Sequence, residues 1–451
     1  MQAEMQIQAE TPVETQIETQ TEKPAADSPR WHLAKKIAFR FTFIYFLLYS
    51  LPFPLQQIPY VGYVTQYYYL FWRTVVPWVG YKILRIGYEI PMAMSGSGDK
   101  TYDWVQAFCF LTLAIIVTAI WSLLDRKRPN YEKPHQWFTL YMRFVLAGWM
   151  IVYGAMKAIP VQMSPPRLTK MLGQYGDFSP MGILWSFMGS SPAYTSITGS
   201  IELLGGILLI FPRTALLGAV VSFAAMTQVF ILNMCYDVPV KLFSFNLVMM
   251  SLFLLAPHLG RITKVLLLNR STEPAPIRRW AERKWLNRSV LIAQIVFGLY
   301  LVGSSLNSYY QAYYTYGAAT PKPPLYGIWT VEDFTINGEV KLPLITDETR
   351  WHRIIIQNQN GLTIQPMRGS NQMYRTQLDM ENKTLSLGKG NDQEWKADFT
   401  FDEFEPGQMK LAGVIDGNRI EARLVRFDET QFLLNSRRFR WIQEQPFNRP
   451  F

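Results

Sequence analysis

Length, composition and charge exclude several classes of protein. The chain has 451 residues, of which 49% are hydrophobic and 15% aromatic, and its formal net charge is +10. Long apolar runs up to about residue 306 exclude a wholly water-soluble protein, and basic residues that flank those runs do not indicate nucleic-acid binding. Two cysteines exclude a disulfide framework, and four scattered histidines lack metal-ligand or haem-attachment spacing, so we expect neither a metal nor a haem.

The first 30 residues are polar and acidic, and they repeat the triplet ETQ. This composition predicts a disordered tail. No short apolar core with a small-residue cleavage site lies in this stretch, so we expect the first apolar run to act as a signal anchor.

Seven runs are long enough, or nearly so, to cross about 30 Å of hydrocarbon. They lie at about 33–51, 103–124, 138–159, 195–211, 214–233, 241–257 and 288–306. The Tyr-, Trp- and Pro-rich stretch between the first two predicts an interfacial excursion with a short amphipathic helix. A further span near 74–92 is disfavoured by Lys82, Arg85 and Glu89.

The basic segments predict the orientation. With seven spans, three basic segments fall on one side of the membrane: the one around Lys35, the one after the second span and the one after the sixth. The positive-inside rule therefore predicts a cytoplasmic N-terminus and an extracytoplasmic C-terminal domain, which is periplasmic if the protein lies in a bacterial inner membrane. The same basic segments are expected to contact anionic membrane lipids.

Polar residues inside the predicted spans are the candidate site. A charge near the bilayer centre costs about 2.5–3.5 kcal/mol on insertion scales, so Lys157 in YGAMKAIP and Glu202 in SIELLGG are expected to pair at similar depth in the outer half. Other polar side chains of the outer half are candidates to line a substrate pocket beside this pair: Tyr153, Gln228, Asn233 and Asn246. The alternative is purely structural, with a snorkelling lysine and amides that join helices.

Residues 138–260 resemble the DoxX family of four-helix bacterial membrane proteins. The shared pattern is an arginine at the start of one span, G-x-x-K at its end, and E-x-x-G-G in the next span, carried by Arg143, Gly154, Lys157, Glu202, Gly205 and Gly206. The resemblance implies membrane redox chemistry, as in a thiosulfate:quinone oxidoreductase subunit, with Lys157 and Glu202 as the catalytic residues. The long loop after the third span, the additional spans and the C-terminal domain depart from that family. For the glycines near Glu202 we expect close helix packing.

The two cysteines are a weaker redox candidate. Cys109 in the second span and Cys235 at the end of the fifth are predicted at similar depth. A bridge requires Cα atoms within about 7 Å. The alternative is that both are small apolar core residues.

From residue 322 onward the pattern predicts an antiparallel β-barrel or sandwich outside the membrane. Eight segments of alternating polarity are separated by turn signals at 337–338, 360–361, 381–383 and 416–417. Gly327-Ile328-Trp329 and an arginine-rich last strand, NSRRFRWI, weakly resemble lipocalin-type barrels, which implies capture of an apolar ligand. The alternative is a structural barrel. Residues 307–321 are predicted to form an interfacial linker.

Three functions remain open from the sequence. The first is a redox-linked enzyme or subunit that binds a quinone or another small apolar substrate beside Lys157 and Glu202, with electrons supplied through a partner protein or the quinone itself. The second is a non-catalytic envelope scaffold or lipid-binding protein that acts through its barrel and an envelope partner. The third, a transporter with a proton relay, lacks an inverted repeat.

Overall fold

A helical bundle is followed along the chain by a β-barrel. The structure is a computed structural model, and it describes residues 30–93, 95–273, 282–390, 392–437 and 439–447. The predicted disordered tail lies outside the described residues, apart from Arg30. The α-helices of the described residues are α1 (Leu33–Ser50), α2 (Gly62–Lys82), α3 (Thr101–Leu124), α4 (Glu132–Ala158), α5 (Leu168–Met171), α6 (Pro180–Ser190), α7 (Pro192–Ile210), α8 (Ala215–Cys235), α9 (Lys241–Leu255), α10 (Leu259–Ile262), α11 (Lys284–Thr315) and α12 (Leu433–Ser436).

Seven helical segments within the described ranges are long and apolar enough to cross a membrane, which confirms the predicted number of spans. They are Leu33–Gln57, Thr101–Leu124, Glu132–Ala158, Pro192–Ile210, Ala215–Cys235, Lys241–Leu267 and Lys284–Thr315. The last helix continues to Thr315, so most of the predicted linker 307–321 is helical. The chain is a multi-pass membrane protein with a β-barrel domain.

Helix α2 occupies the predicted interfacial stretch, but it is longer than a short amphipathic helix. It has 21 residues and packs Trp72, Val76 and Val79 against the N-terminal half of α3. Its other side is exposed and aromatic, with Tyr63, Tyr67 and Trp78 among its members. This mixture of an apolar body and polar hydroxyl or indole groups suits the membrane interface.

Glycines bring α4 and α7 into backbone contact. A Cβ on Gly154 would lie 2.4 Å from Leu203 N, and one on Gly199 would lie 2.3 Å from Ala158 N. A Cβ on Gly206 would lie 2.9 Å from the carbonyl oxygen of Ala147. The expected packing role of Gly199 and Gly206 is confirmed, since any side chain there would separate the two helices.

The barrel is built from strands β1 (Gly327–Ile336), β2 (Glu339–Val340), β3 (Trp351–Asn358), β4 (Gly361–Pro366), β5 (Gln372–Asp379), β6 (Thr384–Lys389), β7 (Asp392–Glu405), β8 (Gln408–Ile415) and β9 (Asn418–Arg426). All pairings in the described sheet are antiparallel, and β9 pairs with β1 while β2 adds to β1 alone. The result is a closed barrel of eight strands, which decides the prediction of a barrel or a sandwich in favour of the barrel.

Alternation along the strands fills the barrel with side chains. Trp351, Ile354 and Ile356 of β3 belong to the same core as Trp329 and Phe334 of the neighbouring strand β1. The predicted turns join successive strands, and Asn337, Lys383 and Asp416 have φ of 53°, 50° and 47°. Positive φ is the conformation that two-residue hairpin turns such as 337–338 and 416–417 require. Lys383 ends the longer turn between β5 and β6.

The predicted last strand is wrong. Residues 429–436 form a 3₁₀ turn and the single helical turn α12, and the described residues after them belong to no strand. The barrel is already closed by β9, whose last residue, Arg426, pairs with Trp329. Gly327 leaves room for the Arg426 guanidinium, whose Nε lies 3.1 Å from the position of a Cβ on that glycine. Arg426 therefore lies beside the Gly-Ile-Trp segment.

The barrel touches the bundle through the loop between α4 and α7. Ile328 and Ile355, which belong to a cluster separate from the barrel core, pack on Leu168 of α5. The backbone N–H of Leu168 donates to Gln357 Oε1 over 2.9 Å. We call the end of the bundle where α4 ends, α7 begins and α11 leads into the barrel the barrel end.

Candidate functional site

The predicted ion pair is present at the barrel end of the bundle. Lys157 Nζ donates to Glu202 Oε1 over 2.6 Å, and the two side chains are 8% and 5% exposed. The close approach of α4 and α7 at Gly154 and Gly199 sets this distance. Each charge gives the other a partner in a region where water solvates neither, which is what makes a buried lysine or glutamate tolerable.

A cavity of about 210 Å³ opens beside this pair. Its walls come from α4, α7, α8 and α9, and its roof from the loop and α6 that precede α7. The predicted residues that line it are Tyr153, Lys157, Glu202, Gln228 and Asn233. Most of the remaining lining is apolar or aromatic, including Trp149, Trp185 and Phe243. An apolar cavity of about 150 Å³ can hold a benzene molecule, so this one has room for a single aromatic ring.

Asn246 does not line the cavity, in contrast to its prediction as a substrate-binding residue. Its Oδ1 accepts from the Tyr45 hydroxyl of α1 over 2.9 Å, and its Nδ2 donates to the Leu242 carbonyl over 2.9 Å. Asn233 lines the cavity and donates from Nδ2 to Ser244 Oγ over 3.0 Å. The two buried amides thus have different surroundings although both were predicted in the outer half of the membrane.

The cysteines are free and have different environments. Cys109 is buried among Trp72, Val105 and Phe110 between α2 and α3. Cys235 is exposed at the C-terminus of α8. Neither lines the cavity, and the packing of Cys109 matches the alternative interpretation as a small core residue.

One oxygen of the ion pair has no partner. Glu202 Oε2 is buried and accepts no hydrogen bond, while Oε1 of the same carboxylate is bonded to Lys157. Gln162 Oε1, in the roof, is likewise buried without a partner. Both residues line the cavity. An unsatisfied buried acceptor costs about 1–3 kcal/mol. Of the buried side-chain atoms without a partner in the described part of the chain, these two oxygens belong to residues that line the cavity.

The roof of the cavity is itself an organised structure. Met163, Leu184 and Met188 pack against Val238 in the turn between α8 and α9. Lys170 Nζ donates to the Gly182 carbonyl over 2.8 Å and thereby ties α5 to α6. Burial lowers the pKa of the Lys170 ammonium.

The cavity reaches the outer surface of the bundle between α7 and α8. Tyr194 and Ile201 on α7 line the cavity and are 46% and 48% exposed, and Gln228 on α8 lines it and is also exposed. This surface faces lipid in a bundle that spans a membrane. The geometry therefore allows a lipophilic molecule to enter from the bilayer.

A second depression, of about 400 Å³, lies at one end of the barrel, where β1 and β8 end and β3, β5 and β9 begin. It is lined by Trp351 and Tyr374 together with polar residues that bond to one another. Asn337 Nδ2 donates to Asn418 Oδ1 over 2.9 Å, and the Tyr374 hydroxyl donates to Gln372 Oε1 over 2.8 Å. The satisfied polar lining contrasts with the free oxygens of the membrane cavity.

Sequence reasoning missed two polar residues of the bundle. Arg40 is 1% exposed within α1, and its guanidinium donates to the Tyr131 hydroxyl, to Ser122 Oγ and to the Asp125 carbonyl. A single charge inside the apolar run IAFRFTF was the available signal. Gln162 gave no such signal, because a glutamine in a loop is ordinary.

Arg143 of the family-like pattern lies away from the cavity. It donates to Gln294 Oε1 of α11 and to the Ile210 carbonyl over 3.3 Å. Its role in the structure is to hold α11 against α4 and the C-terminus of α7.

Comparison with known proteins relates this chain to a shorter one. No family model matches the chain, and no solved structure matches it. The uncharacterized protein YwoB of Bacillus subtilis (strain 168) is 33% identical to this chain over 122 residues, which make up 25% of this chain and 71% of YwoB. YwoB is therefore much the shorter of the two proteins. With that identity over more than two thirds of its relative, the chain belongs to the family of YwoB.

Proposed function

We propose that the membrane cavity binds a small lipophilic molecule of the quinone type, held at its polar ring substituents by Lys157 and Glu202. The observation that carries this proposal is Glu202, which lines the cavity and whose Oε2 is buried without a hydrogen-bond donor. Buried polar atoms normally have a hydrogen-bond partner. A ligand that donates to Glu202 would supply the partner that this carboxylate oxygen lacks.

The composition of the cavity supports a ring-shaped ligand. Trp149, Tyr153 and Phe243 pack on one another, with Trp149 and Phe243 ring centroids 4.9 Å apart, and they form an aromatic wall beside the ion pair. Aromatic walls bind aromatic ligands through offset or edge contacts. The opening between α7 and α8 offers such a molecule a path from the hydrocarbon region.

Redox chemistry is the finer part of the proposal. The DoxX resemblance of residues 138–260 suggests a quinone-linked oxidoreductase or one of its subunits. In this scheme Lys157 stabilises negative charge on a quinone oxygen and Glu202 accepts or returns its proton, which are roles suited to an amine and a carboxylate in hydrogen-bond contact. Electrons come from a redox partner protein that docks on the bundle or on the barrel.

The positive-inside pattern supports placing the barrel end outside. In a bacterial inner membrane the N-terminus is then cytoplasmic, and the barrel and the cavity roof are periplasmic. The alternative function, an envelope scaffold or lipid-binding barrel, has less support. Side chains such as Trp329 and Phe399 fill the barrel core, and polar groups in the depression at its end already bond to one another.

Native mass spectrometry of the protein in lipid nanodiscs, with extraction of bound small molecules, tests the proposal. The wild type is expected to carry a quinone-type molecule that the Lys157→Met/Glu202→Gln double variant lacks. Asn246→Leu is the control, because Asn246 is a buried amide on a cavity helix but lies outside the cavity. Equal recovery from wild type and double variant would refute a ligand held by the ion pair.

A further inference from the structure

Lys157 and Glu202 both line the cavity, and their ion pair leaves hydrogen-bonding groups of both residues unused. Lys157 Nζ uses one hydrogen bond on Glu202 Oε1, and an ammonium has three N–H groups to donate. Glu202 Oε2 accepts no hydrogen bond from any described residue. A single ligand group that satisfies both neighbours must accept a hydrogen bond and donate one.

A hydroxyl meets that requirement and a carbonyl does not. A phenolic hydroxyl accepts through its oxygen lone pairs and donates its proton, whereas a quinone carbonyl only accepts. A carbonyl placed at the ion pair would face Oε2 with a second acceptor and leave it unsatisfied. Gln162 Oε1 in the roof is a further acceptor without a donor, and it also favours a ligand that has hydroxyl groups.

We infer that the cavity selects the reduced, hydroxyl-bearing form of its ligand, a hydroquinone, over the corresponding quinone. This inference rests on the proposed function and adds the oxidation state of the bound molecule. The selection concerns binding alone, since no bond of the ligand is made or broken.

The expected preference follows from one unsatisfied acceptor. Leaving a buried acceptor without a donor reduces affinity by about tenfold, within a range of about fivefold to a hundredfold. Sites built to hydrogen-bond a hydroxyl reject analogues without it for the same reason. The wild type should therefore bind the hydroquinone about tenfold more tightly than the quinone.

Three ligands with the same ring and the same tail separate the effect of the hydroxyl protons on affinity from the effect of the ring. They are decylubiquinol, decylubiquinone and the dimethyl ether of decylubiquinol, and their affinities for full-length protein in nanodiscs can be measured by microscale thermophoresis under anaerobic conditions. The dimethyl ether is aromatic like the quinol but has no hydroxyl proton. It is expected to bind as weakly as the quinone.

The variant Glu202→Gln is expected to reverse the preference between quinol and quinone. With its amide oxygen toward Lys157, the introduced glutamine side chain is expected to present Nε2, a donor, where Oε2 stood, so that the preference moves toward the quinone. Equal affinity of the wild type for quinol and quinone, or an unchanged preference in the variant, would overturn the inference and leave the proposed function standing. Failure of the wild type to bind either ligand would overturn the proposed function itself. The comparison of three ligands on the wild type decides the inference even if the variant does not fold.

Discussion

Gly154 of α4 lies directly against the backbone of Leu203 in α7, so closely that a Cβ on this glycine would come within 2.4 Å of Leu203 N and 2.7 Å of Leu203 Cα. No rotation of a side chain relieves such a contact, because both neighbouring atoms belong to the main chain. The whole approach of the two helices, and with it the pairing of Lys157 and Glu202, depends on the absence of that one carbon.

Gly154→Ala is therefore expected to lower the melting temperature of the protein in detergent micelles by about 5 °C or more, since overpacking costs about 1–3 kcal/mol and the backbone has to move. A thermal-shift assay measures this. Gly303→Ala in α11 is the matched control, because a Cβ there meets nothing within 4 Å. Alanine is the better helix former, so the control should be unchanged or slightly more stable. Equal shifts in the two variants would contradict the role of Gly154.

Removing one member of the ion pair should be worse than removing both. Lys157→Met leaves the Glu202 carboxylate buried and without a cation, and loss of one partner of a buried pair costs about 3–5 kcal/mol. The double variant Lys157→Met/Glu202→Gln has no buried charge at that position and should regain at least about half of the lost free energy of unfolding. Reversible unfolding in mixed micelles provides the double-mutant cycle. Additive losses would show that the two charges do not stabilise each other.

Asn233 and Asn246 form a second matched pair of variants. Asn233→Leu changes the cavity wall and removes the amide that donates a hydrogen bond to Ser244. The amount of ligand extracted from purified protein should therefore fall by about tenfold. Asn246→Leu removes the hydrogen bond to Tyr45 and should lower the free energy of unfolding by about 1–3 kcal/mol without altering ligand content. Ligand loss in Asn246→Leu would place that residue in the site after all.

The opening between α7 and α8 can be blocked. Ile201→Trp adds volume at the lining of the opening, where Ile201 is 48% exposed, and should slow exchange of a bound lipophilic ligand by about tenfold while the stability changes little. Ile292→Trp is the control, since Ile292 on α11 is 60% exposed and is not among the cavity residues. Ligand exchange in nanodiscs, followed by stopped-flow fluorescence, distinguishes the two. Unchanged exchange in Ile201→Trp would indicate another entrance.

Acid should weaken the barrel through Asp347. Hydrogen bonds from the Thr349 side chain and from the backbone N–H groups of Thr349 and Arg350 hold the pKa of this carboxyl below its usual value. The unfolded chain then binds the proton more readily, so the stabilisation is present above about pH 4 and is lost as the pH falls through the lowered folded-state pKa.

Asp347→Asn should be less stable than wild type at pH 7 and should lose less stability between pH 5 and pH 3. Cleavage within residues 327–426 by pepsin at graded pH, mapped by mass spectrometry, reports the stability of the barrel in the full-length protein at the acid end. Thermolysin reports it at pH 7. Glu348→Gln, at the exposed neighbouring position, is the control. The assignment of acid sensitivity to Asp347 is wrong if both variants lose as much stability between pH 5 and pH 3 as the wild type does.

The sequence predicted the depth of each polar residue in the membrane. It did not predict which neighbouring helix or cavity the side chain faces. Lys157 and Glu202 could be paired because two opposite charges in adjacent apolar runs have few other ways to be neutralised. Asn246 was misplaced because rotation of α9 about its axis, which decides whether an amide faces α1 or the cavity, depends on packing with several helices. The free oxygen of Glu202 is likewise a property of the folded bundle.

In the barrel, the turn residues were reliable because their positive φ is a local requirement, as at Asn337 and Asp416. The segment NSRRFRWI was misread because alternating polarity does not reveal whether a partner strand is left to pair with. Once β9 pairs with β1, the closed sheet has no free edge there. Arg40 was missed although its signal equalled that of Lys157, since its partners come from distant Tyr131 and Ser122.

The hydrogen bond between Leu168 and Gln357 joins the barrel to the same loop that roofs the cavity. A molecule that binds the barrel and displaces β3 would also displace Leu168, and with it the segment that roofs the cavity. Coupling of this kind is reciprocal by thermodynamic linkage, so a ligand in the cavity would change the barrel's affinity for that molecule by the same factor. The contact at Leu168 is thus a physical connection between the β-barrel and the membrane cavity.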